Sequence, residues 1–189
     1  MAQERVPVLV VGAGDAGLSL SLLLLQQGVR PVFIERRSDV SWYPPRPQSQ
    51  LPHYGGVRGL GLASEISAAS TRVSRIFRRE RLASAEQEEF LDPALLLDTR
   101  ALSPEPLLRY CPQSRVEPIL LTAARQRGAD VRYKTELATF TQHEHGVIAT
   151  VDDRATGGSY VIEADYVVGA DGAHSRVRDI LGLPTPIGP

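Results

Sequence analysis

The sequence contains one cysteine, one lysine, one tryptophan and one methionine among its 189 residues. A lone Cys111 cannot close a disulfide within the chain or form a cysteine zinc cluster, which excludes a disulfide scaffold. The formal net charge is only −1 at pH 7, so no global field draws the protein to nucleic acid or to an anionic membrane. We therefore expect no nucleic-acid partner.

Long hydrophobic runs are also missing. A membrane-spanning helix needs about 20 mostly apolar residues, and no such run occurs. The apolar N-terminal segment is interrupted by Gly12, Gly14, Asp15 and Gly17, which is not the pattern of a secretory signal peptide. We therefore expect no membrane partner and a cytoplasmic location.

The composition itself is that of an ordinary globular protein. Hydrophobic residues make up 42% and charged residues 23% of the chain, and this length can bury a core without disulfides. The first 35 residues predict a βαβ unit: a buried strand at 6–11, a glycine turn, a leucine-rich helix at 16–27 that ends before Gly28, and a strand at 31–35.

The rest of the chain predicts further strands and helices. We expect a short helix at 60–69, a strand of a different sheet at 72–77, a helix at 118–126 with Pro118 in its first turn, and strands at 130–133, 136–141, 147–151 and 160–163. A buried strand at 166–168 should then lead into a helix at 174–181. The predicted fold is α/β: a Rossmann-like βαβ unit with a parallel sheet and an inserted antiparallel hairpin or meander.

The turn at residues 12–17 reads G-x-G-x-x-G and carries the first chemical signal. Gly12 suits the tight turn, Gly14 lets a pyrophosphate approach the backbone, and Gly17 lets helix and strand pack closely. Glu35 follows at the end of the second strand and can accept a ribose hydroxyl. Its carboxylate disfavours a 2′-phosphate, so the turn predicts FAD or NAD rather than NADP; the alternative is an ordinary glycine-rich turn.

A second glycine turn points to a family. Residues 169–178 read GADGAHSRVR and resemble the G-A-D-G-x-x-S-x-V-R motif of FAD-dependent aromatic hydroxylases, the group-A flavin monooxygenases related to p-hydroxybenzoate hydroxylase. The segments at 111–113, 117–118, 123–128 and 164–172 resemble hydroxylases of aromatic polyketides within that family.

The resemblance implies an FAD cofactor, NAD(P)H as co-substrate and a small aromatic or polyketide substrate. It places Arg46 along the FAD pyrophosphate, Gln113 near the ribityl chain and Asp171 in a positioning role beside the pyrophosphate. No residue is assigned a catalytic role, and no metal site is expected. The candidate cofactor-binding residues are Gly12, Gly14, Asp15, Ala16, Gly17, Glu35, Arg36, Arg46, Gln113 and Asp171.

The chain has no counterpart of the family's later G-D motif, which holds the ribityl chain. We therefore expect residues 1–189 to be an FAD-binding domain, an incomplete family fold without most of the substrate domain. A homo-oligomer or a complementing subunit would then supply the rest. Two alternatives stay open: a truncated or degenerate nucleotide-binding protein without turnover, and an NAD-dependent dehydrogenase, which only the first glycine turn favours.

Overall fold

The computed structural model describes residues 3–40, 58–72, 76–81, 88–91 and 109–184. The chain divides into two compact units, one of Met1–Tyr43 with Glu117–Pro189 and one of Pro44–Val116. In chain order the described elements are β1 (Gln3–Val11), α1 (Asp15–Gln26), β2 (Val32–Glu35), α2 (Ala63–Ala69), β3 (Thr71–Arg72), β4 (Ile76–Arg78), β5 (Glu88–Leu91), β6 (Arg109–Tyr110), α3 (Gln113–Gln126), β7 (Asp130–Tyr133), β8 (Thr135–His143), β9 (Gly146–Asp153), β10 (Gly158–Gly169) and α4 (Arg176–Ile180).

The first unit is built on a six-stranded sheet with the strand order β7-β2-β1-β10-β9-β8. Strands β7, β2, β1 and β10 are parallel to one another. Strand β9 pairs with β10 on one side and with β8 on the other, both in antiparallel fashion. The fold is therefore the mixed α/β fold that the sequence predicts, and the βαβ unit and the hairpin form where expected.

Both faces of the parallel strands are covered. On one face, apolar residues of β1 and β2 share a core with Leu137 of β8 and with Ala149 and Val151 of β9. On the other face, Phe33 of β2 packs with residues of α1 that include Leu24. Burial on both faces explains why β1 and β2 are nearly continuous apolar runs instead of alternating strands.

Strand β10 differs from the expectation of two separate strands. It runs unbroken over 12 residues, because β1 pairs with it along most of its length while β9 pairs only with Gly158–Ala164. The prediction that residues 166–168 are buried is wrong for Tyr166, which is 70% exposed. Past Ala164, no strand of the described residues covers the second edge of β10.

Helix α3 begins five residues earlier than predicted. The carbonyl of Pro112 accepts the N–H of Arg115 at 2.8 Å and the N–H of Val116 at 3.1 Å, so the first turn forms directly after Pro112. Pro118 consequently lies inside the helix, where it cannot donate the usual backbone hydrogen bond to the carbonyl four residues earlier. The last helix, α4, is shorter than the predicted range 174–181.

The second unit contains α2 and two small antiparallel pairs, β3 with β6 and β4 with β5. The single strand predicted at 72–77 is wrong, because β3 and β4 belong to different sheets. None of the helices within the described ranges is long and apolar enough to cross a membrane.

Candidate nucleotide-binding site

Both glycine turns begin at the same edge of the sheet. Val11, the last residue of β1, pairs with Gly169, the last residue of β10, and the N–H of Ala170 donates to the carbonyl of Val11 at 2.7 Å. Ligands of open α/β sheets bind beyond the carboxyl ends of the strands. The two turns therefore define one candidate site.

The three glycines of the first turn have different surroundings. Gly12 has φ +105°, and a Cβ atom there would lie 2.4 Å from the carbonyl oxygen of Ala170. A Cβ atom on Gly17 would lie 2.0 Å from the carbonyl oxygen of Gly12. A Cβ atom on Gly14 would meet nothing nearer than Oε1 of Glu117, at 3.6 Å. Gly12 and Gly17 are thus required for packing, while Gly14 leaves room above the turn, where a Cβ atom would make only an ordinary contact with Glu117.

Helix α1 starts at this open space. Gly14 is its N-cap residue and, having no side chain, provides no side-chain cap. The first backbone N–H groups of a helix have no intrahelical acceptors, and they carry the positive end of the helix dipole. The N-terminus of α1 is therefore suited to bind an anion such as a pyrophosphate.

The helix that follows the second turn has a different N-terminus. Oδ1 of Asp171 accepts the hydroxyl of Ser175 at 2.6 Å, and its Oδ2 accepts the N–H groups of Arg176 at 2.6 Å and Val177 at 3.2 Å. Oγ of Ser175 in turn accepts the N–H of Arg178 at 3.1 Å. Asp171 is thus engaged in capping α4, and its positioning role beside the pyrophosphate stays a prediction.

Glu35 lies at the carboxyl end of β2, with its side chain 7% exposed. Its Oε2 accepts the N–H of Ala13 at 3.0 Å, and its Oε1 accepts the backbone N–H of Arg37 at 2.9 Å and Nε of Arg37 at 3.1 Å. Burial alone raises the pKa of Glu35, but the hydrogen bonds from Arg37 and Ala13 outweigh burial and hold this pKa below its ordinary value. Glu35 is therefore a fixed carboxylate, and its bond to Ala13 ties β2 to the glycine turn.

A second acidic group lies beside the turn. Glu117 of α3 is fully buried, and Asp15 occupies the first turn of α1 with its Oδ1 inaccessible and without a hydrogen-bond partner among the described residues. Burial, and then the charge of Glu117, raise the pKa of Asp15 from 3.8 to about 6. Asp15 is thus a group that can take up a proton close to neutral pH.

Tyr133 adds a buried hydroxyl to this end of the sheet. It pairs with Glu35 across β7 and β2, and its hydroxyl has no hydrogen-bond partner among the described residues. Burial, and then the charges of Glu35 and Glu117, raise the pKa of Tyr133 to about 12. The hydroxyl therefore stays protonated and keeps a donor at neutral pH.

The fold brings together some, but not all, of the cofactor-binding residues that the sequence predicts. Gly12, Gly14, Asp15, Ala16, Gly17 and Glu35 form one cluster, and Asp171 lies in the adjoining turn. Arg36 is exposed and makes no hydrogen bond or ion pair with any described residue. Gln113, the first residue of α3, belongs to the second unit, and Arg46 lies outside the described residues, so both stay predictions.

Sequence reasoning missed three members of the cluster: Arg37, Glu117 and Tyr133. The Glu117-Pro118 dipeptide carries part of the family resemblance, but its spacing from the glycine turn gives no sign of proximity. Arg37 follows Arg36 directly, and only the backbone direction after β2 decides which arginine turns toward Glu35. Within the described ranges, no group of three or more candidate ligands is arranged to hold a metal ion.

The fold and this site define a dinucleotide-binding α/β domain. Comparison with known families makes the assignment specific: the model of the FAD binding domain family matches residues 5–188. The chain therefore belongs to the FAD binding domain family, as the resemblance in the sequence indicates.

Individual relatives agree with this assignment. The chain is 35% identical to aklavinone 12-hydroxylase from Streptomyces peucetius over 97% of its own length and 39% of that protein. It is 35% identical to 2,4-dichlorophenol 6-monooxygenase from Delftia acidovorans over 94% of its length and 31% of that protein. The chain thus spans well under half the length of these relatives.

Solved structures give the same result. The flavin-dependent monooxygenase PieE, solved in complex with FAD and substrate, superposes with a TM-score of 0.84 at 32% identity, covering 94% of this chain and 32% of that one. An aklavinone-11 hydroxylase, solved with FAD and aklavinone, superposes with a TM-score of 0.78 at 34% identity, covering 96% of this chain and 36% of that one.

Proposed function

We propose that this chain is the FAD-binding domain of an NAD(P)H-dependent monooxygenase that hydroxylates an aromatic or polyketide ring. The observation that carries the proposal is the pairing of two glycine turns at one sheet edge. The first turn leaves the N-terminus of α1 open beside Glu35, whereas the second turn packs on Gly12 and caps its own helix. Family membership supports FAD as the nucleotide.

The residues present fit the adenosine diphosphate half of FAD. The open space at Gly14 and the N-terminus of α1 accommodate the two phosphates, whose charge the helix dipole favours. Glu35 is a fixed acceptor for a ribose hydroxyl. Arg46 and Gln113 are the proposed contacts to the pyrophosphate and the ribityl chain.

When bound, FAD would supply the redox chemistry that ring hydroxylation with NAD(P)H and O₂ requires. The residues of this chain contribute binding and orientation. Asp15, whose pKa is raised to about 6, is able to hold a proton where the phosphate charge is placed. We assign no residue of this chain to a catalytic role.

The substrate class is inferred from the relatives. Their names include an aklavinone 12-hydroxylase and a 2,4-dichlorophenol 6-monooxygenase. We propose that residues 1–189 supply the FAD-binding part of such an enzyme. The remaining walls of the active site would come from further chain or from a second subunit.

Of the two other interpretations, only the dehydrogenase accounts for less of the structure. An NAD-dependent dehydrogenase explains the first glycine turn, but not the second turn that packs against it or the match to an FAD family. A nucleotide-binding protein without turnover would share the same site and would differ only in the absence of oxygen transfer.

The test is a nucleotide titration of the purified protein. We expect FAD to bind more tightly than NADP⁺, measured by quenching of flavin fluorescence for FAD and by calorimetry for both nucleotides. FMN, which lacks the adenosine half, is the matched control and should bind much more weakly than FAD. Tighter binding of NADP⁺ than of FAD, or equal binding of FMN and FAD, would overturn the assignment of the site.

A further inference from the structure

Arg37 holds Glu35 from the solvent side. The side chain of Arg37 is 39% exposed and that of Glu35 only 7%, so the guanidinium is the more solvent-accessible member of the pair. Three of the donors on Glu35 come from this one residue: its backbone N–H, its Nε and, at a longer 3.5 Å, its Nη2. Any ribose that reaches Glu35 therefore arrives beside Arg37.

The hydrogen bonds on Glu35 show where a ribose hydroxyl can enter. Oε1 already accepts two donors from Arg37 at 2.9 and 3.1 Å. Oε2 accepts Ala13 at 3.0 Å, but its second donor, Nη2 of Arg37, is at the limit of a hydrogen bond. Because each carboxylate oxygen accepts about two hydrogen bonds, a ribose hydroxyl can replace the weak Nη2 contact and leave the other three intact.

Part of the Arg37 guanidinium has no hydrogen-bond partner among the described residues. Nη1 makes no hydrogen bond with any described residue, and displacement of the weak contact releases Nη2 as well. Arginine offers a planar fork of donors that matches phosphate geometry. A nucleotide with a phosphate on the 2′ position would therefore meet a guanidinium next to the carboxylate that repels it.

The charges of Glu35 and Arg37 also favour tolerance of a 2′-phosphate. An isolated Glu35 would reject a 2′-phosphate by like-charge repulsion, but Arg37 neutralises it within the pair. Burial lowers the pKa of Arg37, but the hydrogen bond to Glu35 and the charges of Glu35, Glu117 and Tyr133 together raise it, and an arginine guanidinium is charged at neutral pH. The charge of the buried Glu117 also favours the charged form of Arg37.

We propose that Arg37, and not its neighbour Arg36, determines how strongly the site discriminates between a free ribose 2′-hydroxyl and a 2′-phosphate. This inference rests on the proposed function, because it needs a nucleotide in the site beside Glu35. If Arg37 has this role, the site rejects 2′-phosphorylated nucleotides less strongly than a site with Glu35 and no neighbouring arginine would. The nucleotide NADP⁺ can then compete weakly for the FAD site.

The experiment compares two probes that differ only at the 2′ position, ADP-ribose and ADP-ribose 2′-phosphate. Calorimetry gives the ratio of their dissociation constants for the wild-type protein and for Arg37→Ala, Arg37→Lys and Arg36→Ala. The Arg36 variant is the matched control, since it removes the same charge one residue away. The backbone bonds of Arg37 to Glu35 and to Lys134 survive all of these substitutions, and circular dichroism verifies the fold.

We expect Arg37→Ala to raise the preference for the free 2′-hydroxyl by about 10- to 100-fold, the range for loss of one charge-assisted hydrogen bond. Arg37→Lys should recover part of the tolerance, because an ammonium lacks the planar fork. Arg36→Ala should leave the ratio within about twofold.

Two results would overturn this inference and leave the proposed function intact, provided that FAD still binds. One is a ratio of dissociation constants that Arg37→Ala leaves unchanged, and the other is a ratio that Arg36→Ala changes as much as Arg37→Ala does. If the wild-type protein binds neither FAD nor ADP-ribose, the proposed function fails and this inference fails with it. Titration of FAD against the same variants separates the two cases.

Discussion

At the scale of single residues, the three glycines of the first turn carry separate tasks. Gly12 combines a left-handed φ with a close approach to Ala170, and Gly17 packs against the carbonyl of Gly12. Gly14 has neither constraint, since its φ is −84° and a Cβ atom there would meet only Oε1 of Glu117, at 3.6 Å. Packing therefore requires two of the glycines, and ligand access requires the third.

This separation predicts opposite effects of two substitutions. Gly14→Val should leave the free energy of unfolding within about 1 kcal/mol of the wild type but abolish FAD retention, because a branched side chain fills the space of the pyrophosphate. Gly12→Ala should destabilise the fold by at least about 2 kcal/mol, through the positive φ and the contact with Ala170. Urea denaturation and flavin content measure the two effects.

Gly28→Ala is the control for backbone strain alone. Gly28 has φ +77°, but a Cβ atom there would have nothing within 4 Å, so the substitution should cost about 1 kcal/mol without loss of FAD. Full flavin content in folded Gly14→Val would show that the first turn does not hold the pyrophosphate.

At the scale of secondary-structure elements, the start of α4 depends on side chains and the start of α1 does not. Asp171 and Ser175 together satisfy the N–H groups of Arg176, Val177 and Arg178. Because Ala170 of the same turn packs on Gly12, a stable α4 also braces the first turn. The second motif thus stabilises the first glycine turn through the contact of Ala170 with Gly12.

We expect Asp171→Ala to lower the free energy of unfolding by about 0.5–2 kcal/mol, the usual cost of losing an N-cap. Asp171→Asn keeps one acceptor oxygen and should recover part of this loss. Asp179→Ala, an exposed position in the same helix, should change stability by less than about 0.5 kcal/mol. Thermal unfolding measures all three, and a stable Asp171→Ala protein that loses FAD would instead assign Asp171 to direct contact.

At the scale of the whole molecule, Asp15 beside the turn makes stability depend on pH. The pKa of Asp15 is about 6 in the folded protein and near 3.8 in the unfolded chain. Since the folded-state pKa is raised, protonation of Asp15 stabilises the fold fully below about pH 4 and this contribution is lost as the pH rises through 6. At pH 7 the ionised Asp15 is therefore a cost to the fold.

Asp15→Asn removes this cost. An increase in pKa from 3.8 to about 6 corresponds to at most about 3 kcal/mol, and partial solvation reduces it, so we expect the variant to gain about 1–2 kcal/mol at pH 7 and little at pH 4. Asp165→Asn, at an exposed carboxylate, is the control and should show no such pH trend. Urea denaturation between pH 4 and 8 gives the free energy of unfolding of each protein. If the difference in this free energy between Asp15→Asn and the wild type does not change with pH, the raised pKa of Asp15 is wrong.

Much of this molecule follows from local sequence. The apolar run of β1, the glycines after it, the leucine-rich α1 and the acidic end of β2 all lie within 35 residues, so short-range patterns determine the βαβ unit. The hairpin of β8 and β9 is equally local, because its alternation and turn are contiguous. The βαβ unit also contains the phosphate turn and Glu35, which made these site residues predictable.

Only the tertiary structure decided the rest. The burial of Glu117 beside Gly14 joins positions about a hundred residues apart, and no spacing in the chain indicates that contact. The merging of two predicted strands into β10 depends on β1, which pairs across the point where β9 leaves. The choice of Arg37 over Arg36 depends on the direction of the backbone after β2. Local propensity acts over a few residues, whereas these three outcomes depend on which distant groups the fold brings within hydrogen-bonding or electrostatic range.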